Sequence, residues 1–74
     1  MITLNQAKKG ITYLINSIGD SSIQSKLMEM GIIEGKEIEI TNVAPFGDPI
    51  IVRISGYKLI LRRKEAQTIK ITSI

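Results

Sequence analysis

Alternation of apolar and polar side chains is clearest in the second half of the chain. Ile50, Val52 and Ile54 fall on one side of an extended segment, with Ile51 and Arg53 on the other, the period of two that marks a strand with one buried face. Ser55-Gly56 interrupts the pattern and is a two-residue connection suited to a primed hairpin turn. Tyr57, Leu59 and Leu61 then run down one face of the returning strand, with Lys58, Ile60 and Arg62 on the other. Residues 36–43 alternate in the same way, Ile38 and Ile40 inward and Glu37, Glu39 and Thr41 outward. So do residues 68–74, with Ile69 and Ile71 inward and Thr68, Lys70 and Thr72 outward.

The first half is less regular. Residues 11–18 are rich in β-branched and aromatic side chains and predict a first strand. Tyr13, Leu14 and Ile15 are consecutive, so the inward face cannot be assigned without a bulge. Gly19-Asp20 ends that strand, and Asp20 or Ser22 can accept the unpaired N–H groups of a helix over 21–30. Ile23, Leu27 and Met30 recur at helical spacing with Lys26 on the edge of their stripe and Met28 well off it. Gly31 supplies a left-handed stop, after which Ile32 can fold back on the last turn. A helix this short does not persist alone and must pack on the sheet. Gly35 fits a turn with positive φ in residues 33–36. Thr3 to Gln6 fits a capping box that opens a helical turn, and residues 63–67 suit one more turn, with Ala66 inward.

The segment Ala44-Pro45-Phe46-Gly47-Asp48-Pro49 contains two prolines, a glycine and the only phenylalanine. Proline lacks an N–H and fixes φ, so neither a helix nor a central strand can run through it. The whole predicts a mainly β fold: a small SH3-like barrel of about five strands, with one short helix (21–30) between the first two. A sheet with a single apolar face must curl round its core or be covered. The 74 residues allow one such core and one domain, with little interior left for an enclosed active site.

Composition narrows the chemistry further. The chain has no cysteine and no histidine, which removes disulfides, thiolate metal sites and the usual general base. Glu37 and Glu39 share a strand face about 7 Å apart, but that face points to water and gives no catalytic pair. The serines lack an imidazole partner and a nucleophile-elbow context. Gly31-x-x-x-Gly35 lacks the lysine and hydroxyl residue of a phosphate cradle. No catalytic residue, metal ligand or cofactor is therefore expected, and the chain reads as non-enzymatic. No apolar run approaches the length of a membrane span and no export signal is visible, so a cytoplasmic location is expected.

The net charge of +3 is placed unevenly. Charges cancel over residues 1–37, and the surplus lies in 38–74, densest at Arg62-Arg63-Lys64. That run reads as a solvated strand end, a contact for an acidic protein, or a nucleic-acid patch. The last would want interleaved aromatic side chains, and only Tyr57 is near. Phe46, at the tip of a stiff loop, reads either as a rigid apolar anchor for a partner or as a cover over an open barrel end. Ile51 and Ile60, with Met28, could form an exposed apolar patch. The outward isoleucines and the sheet edges also permit weak self-association.

Three ordered stretches resemble ferrous iron transport protein A: residues 26–35, Lys-Leu-Met-Glu-Met-Gly-Ile-Ile-Glu-Gly; residues 44–50, Ala-Pro-Phe-Gly-Asp-Pro-Ile; and residues 56–66, Gly-Tyr-Lys-Leu-Ile-Leu-Arg-Arg-Lys-Glu-Ala. The module is also similar to the C-terminal SH3-like domain of metal-dependent repressors. The first resemblance implies an accessory protein that binds the cytosolic GTPase region of a membrane ferrous iron transporter. It further implies no nucleic acid and no membrane insertion of its own. Carried onto this chain, it makes Lys26, Met28, Met30, Pro45, Phe46, Asp48 and Pro49 partner-contact candidates, to which the basic run adds Arg62. The family tends to have arginine where Lys26 stands and leucine where Phe46 stands; lysine loses the planar fork of a bidentate pair, whereas Phe46 keeps the apolar role. A small basic nucleic-acid-binding barrel and a metal-responsive regulatory module are the two other readings.

Overall fold

A computed structural model of the chain describes residues 1–19 and 21–74. The elements are β1 (Ile2–Thr3), a 3-10 turn (Leu4–Gln6), β2 (Thr12–Ile18), α1 (Ser21–Glu29), β3 (Glu37–Val43), β4 (Ile50–Ile54), β5 (Tyr57–Leu61), α2 (Arg63–Ala66) and β6 (Ile69–Ser73). Among the described residues the strands form one six-stranded sheet in the order β1-β6-β2-β3-β4-β5, and every pairing is antiparallel. The five strands expected from the sequence are all present. The sixth, β1, is two residues long and pairs with β6, Ile2 opposite Ile71; nothing in so short a segment marks it in advance.

The alternation of residues 50–61 becomes the predicted hairpin, with Ile50 opposite Leu61, Val52 opposite Leu59 and Ile54 opposite Tyr57. Ser55 and Gly56 have φ of 52° and 84°, both positive as a primed turn requires. Ile50, Val52, Ile54 and Leu61 are buried. Tyr57 departs from the expected inward row: it is 44% exposed, and its hydroxyl donates to the Met30 carbonyl at 3.1 Å. Its cross-strand partner Ile54 fills the core at the turn end of the hairpin, while the phenol reaches across to the carbonyl just past α1.

β2 resolves its awkward run with a register shift against β6 between Ile15 and Ser17. Such a shift inserts an extra residue and moves the inward row by one position. Tyr13 and Ile15 face in before it and Ile18 after it. A second shift falls in β3, between Ile40 and Asn42, beyond the core-facing Ile38 and Ile40.

α1 lies close to the expected 21–30, and the proposed cap at Asp20 lies outside the described residues. Leu27 is fully buried, while Ile23 and Met30 are half-buried and pack against the core. The helix ends on Gly31, whose φ is 95°. Ile32 N–H returns to the Leu27 carbonyl at 3.0 Å and Gly31 N–H to that of Met28 at 3.0 Å, a pattern that satisfies carbonyls otherwise left open at a helix end. Ile32 is buried, as the sequence suggests. A Cβ at Gly31 would collide with the Tyr57 hydroxyl, so this position needs glycine for space as well as for its dihedral angle.

The core is a continuous cluster of isoleucine, leucine and valine with Tyr13 and Ala66. Each fully buried side chain of this kind contributes about 1.5–3 kcal/mol relative to exposure. Leu4, on the 3-10 turn, closes one end, and the Gln6 side chain accepts Thr3 N–H at 3.1 Å, the half of the capping box that Gln6 supplies. No helix among the described residues is long and apolar enough to cross a membrane.

Candidate functional site

Residues 44–49 join β3 to β4 and stand off the core. Ala44 N–H donates to the Pro49 carbonyl at 3.0 Å, and Gly47 N–H to the Ala44 carbonyl at 2.7 Å. These two bonds close the loop on itself. Its base is then held from outside by Arg63: the Arg63 guanidinium donates through Nε to the Gly47 carbonyl and through Nη1 to the Asn5 carbonyl at 2.9 Å. The Asp48 carboxylate in turn accepts the Arg63 backbone N–H at 3.0 Å. That N–H belongs to the first turn of α2 and has no partner inside the helix. Phe46 projects from this braced loop with 100% of its surface exposed. It does not fold over a barrel end.

A second group of candidates gathers where α1 meets α2. Lys26 Nζ and Glu65 Oε2 lie 2.8 Å apart, and Glu65 Oε1 accepts the Arg62 backbone N–H at 2.9 Å. The Lys26 hydrogen bond first, and the Arg62 backbone bond second, hold the Glu65 carboxyl below its usual value. Arg62 and Lys64 are exposed. Together these residues line a groove of about 340 Å³.

The eight predicted contact residues thus divide. Pro45 and Phe46 are exposed at the loop tip, and Lys26 and Arg62 line the groove. Asp48 and Pro49 belong to the loop's own bonding. Met30 is half-buried and offers its carbonyl to Tyr57, while Met28 is 49% exposed on α1. Ile51 and Ile60 are cross-strand partners on the outer face, and Ile60 is 65% exposed. Sequence reasoning missed Arg63. In the run Arg62-Arg63-Lys64 nothing in the side chain separates it from Arg62, and only the fold turns it inward.

The side chains present define a class. Among the described residues no cluster of three or more His, Cys, Asp or Glu could hold a metal ion. Glu39 is engaged by Arg53 at 3.7 Å, so the Glu37–Glu39 strand face offers no free carboxylate pair. What stands out is an apolar knob and a basic groove on a small β module of SH3-like fold.

Comparison with known proteins gives the family. Residues 2–73 match the FeoA domain, and the chain belongs to the FeoA family. A Porphyromonas gingivalis Fe(2+) transport protein A/Fe(2+) transporter FeoB fusion protein is 36% identical over 56 residues, which is 76% of this chain and 7% of that protein. Iron(II) transport protein A from Clostridium thermocellum superposes with a TM-score of 0.94 at 35% identity, covering 99% of this chain and 46% of that one. A FeoA-like protein from Clostridium acetobutylicum gives 0.90 at 38% identity, over 99% and 86% of the two chains. In fold alone, the chain is also similar to the zinc-complexed SH3 domain protein FeoA of Stenotrophomonas maltophilia, with a TM-score of 0.84 at 23% identity over 97% and 91%. It likewise resembles part of IdeR from T. acidophilum, with 0.84 at 24% identity over 99% and 34%.

Proposed function

We propose that this chain is a non-enzymatic cytoplasmic accessory protein of a ferrous iron uptake system, and that it binds the cytosolic GTPase region of the membrane transporter. The observation that carries the reading is Phe46, a large apolar side chain left wholly in water on a loop whose base is tied down by Arg63 and Asp48. An anchor already ordered in the free protein loses little entropy on docking. Buried aromatic side chains are also among the commonest sources of interface affinity. The occurrence of FeoA and FeoB parts in a single fusion protein supports the choice of partner, because joining two parts in one chain raises their effective concentration and so favours any contact between them. The basic run is weaker ground for nucleic acid, since Arg63 is turned away into the loop.

Titration of the labelled chain with the transporter's isolated cytosolic region, and with whole transporter in detergent, tests the proposal. Binding should be lowered about tenfold or more by Phe46→Ser, in the range of a moderate interface anchor. An absence of binding to either preparation at roughly tens of micromolar sinks it.

A further inference from the structure

Two hollows among the described residues differ in charge. The larger, about 420 Å³, lies beside the β4–β5 turn and is lined by Lys36 and Arg53 against Glu37 and Glu39. Its charges balance, and Arg53 and Glu39 already face each other. The smaller, between α1 and α2, is lined among the described residues by the cations Lys26, Arg62 and Lys64 and the carboxylate Glu65, together with Ser22, Ile23 and Thr68. Glu65 neutralises one cation. No ion pair among the described residues involves Arg62 or Lys64.

The geometry points to this groove as the docking place for an acidic segment of the protein partner, whose carboxylates would sit between Arg62 and Lys64 beside the Lys26–Glu65 pair. The inference rests on the partner reading above and adds the chemistry of what is recognised. Glu65 already occupies the groove as a carboxylate, with one oxygen on the Lys26 ammonium and the other on a backbone N–H. The walls therefore suit that group, and the two remaining cations supply the charge to hold more of it. Opposite charges matched across an interface speed encounter and fix orientation. Half-buried Ile23 gives an incoming chain some apolar contact between its acidic positions. No aromatic side chain among the described residues lines the groove, which leaves bases without the stacking surface that single-stranded nucleic acid uses. Arg63 separates Arg62 from Lys64 in sequence and holds the Phe46 loop, so the groove and the knob meet at one helix start.

The test uses the full chain with two probes: the transporter's cytosolic region, and a short synthetic peptide of glutamates interspersed with leucines. By amide chemical shifts the peptide should perturb Ser22 to Lys26 and Arg62 to Thr68. Its affinity should fall with added salt and drop about tenfold or more in the double variant Arg62→Glu, Lys64→Glu, as expected for reversed charges at a matched surface. These exposed substitutions leave the core untouched, and the thermal midpoint of the variant serves as the folding control. Peptide shifts elsewhere, equal affinity in the variant, or displacement of the peptide by inorganic phosphate or single-stranded DNA at comparable concentration would overturn the inference. If the transporter region binds the double variant as well as the parent chain, the groove is wrong and the partner reading stands. Where the peptide binds at the groove but the transporter region does not bind at all, the partner reading fails and the groove chemistry survives.

Discussion

Ile50 and Phe46 are separated only by Gly47, Asp48 and Pro49, yet one has no exposed surface and the other is exposed in full. Both are large and apolar, so the hydrophobic effect alone does not assign their places. Ile50 lies in β4 opposite Val43 on one side and Leu61 on the other, inside the layer that every strand shares. Phe46 lies where two prolines prevent the backbone from joining the sheet, and the loop that carries it is fastened by polar bonds. The contrast separates the apolar surface that makes the domain fold from the apolar surface that folding leaves over, and substitutions can test that separation.

The largest effect is expected from Ile50→Ala. It should cost about 2–5 kcal/mol through lost burial and a residual cavity, seen as an earlier midpoint in chemical denaturation. Such a loss is a large fraction of the stability of a domain this small. Arg63→Ala comes next. It removes the donors to the Gly47 and Asn5 carbonyls, and hydrogen bonds from charged groups are worth about 1.5–3 kcal/mol each at most. Its sharper signature is local: faster amide exchange in residues 44–49 with the β4–β5 hairpin still protected. Equal protection of loop and hairpin would mean that Arg63 does not brace the loop.

Smaller again is the Lys26–Glu65 pair. Lys26 is well exposed, and pairs of that kind contribute about 0–1 kcal/mol. Because the Glu65 carboxyl is held below its usual value by Lys26 and the Arg62 backbone, its contribution should be complete above the ordinary carboxylate range. It should fade as pH falls through the lowered folded value. Glu65→Gln should therefore narrow the stability difference between neutral and acidic solution, as followed by denaturation at a series of pH values. Phe46→Ser should change stability least, within about 0.5 kcal/mol as for an uninvolved surface position. A marked loss of stability there would erase the distinction between the two apolar surfaces.

The parts of this fold that were legible in the sequence are those decided locally. Ser55-Gly56 specifies a hairpin because few residue pairs accept two successive positive φ angles. Gly31 followed by Ile32 specifies a helix end for a related reason. The inward row of residues 50–54 follows from the pleat alone. What the sequence left open depends on contacts between distant segments. The shift between Ile15 and Ser17 is set by β6, and β1 exists only because β6 offers it an edge. Tyr57 has the period of an inward residue but ends over Met30. In the candidate site, Phe46, Lys26 and Arg62 could be proposed from exposure-prone positions and family likeness. The division of labour between Arg62 and Arg63 could not, since it depends on carbonyls of Asn5 and Gly47, far away in the chain.

One guanidinium thus grips two carbonyls that belong to opposite stretches of the polypeptide, the opening turn and the proline-flanked protrusion. Displacing the segment around Asn5 would take away one of the two carbonyls that hold this guanidinium in place beside Gly47.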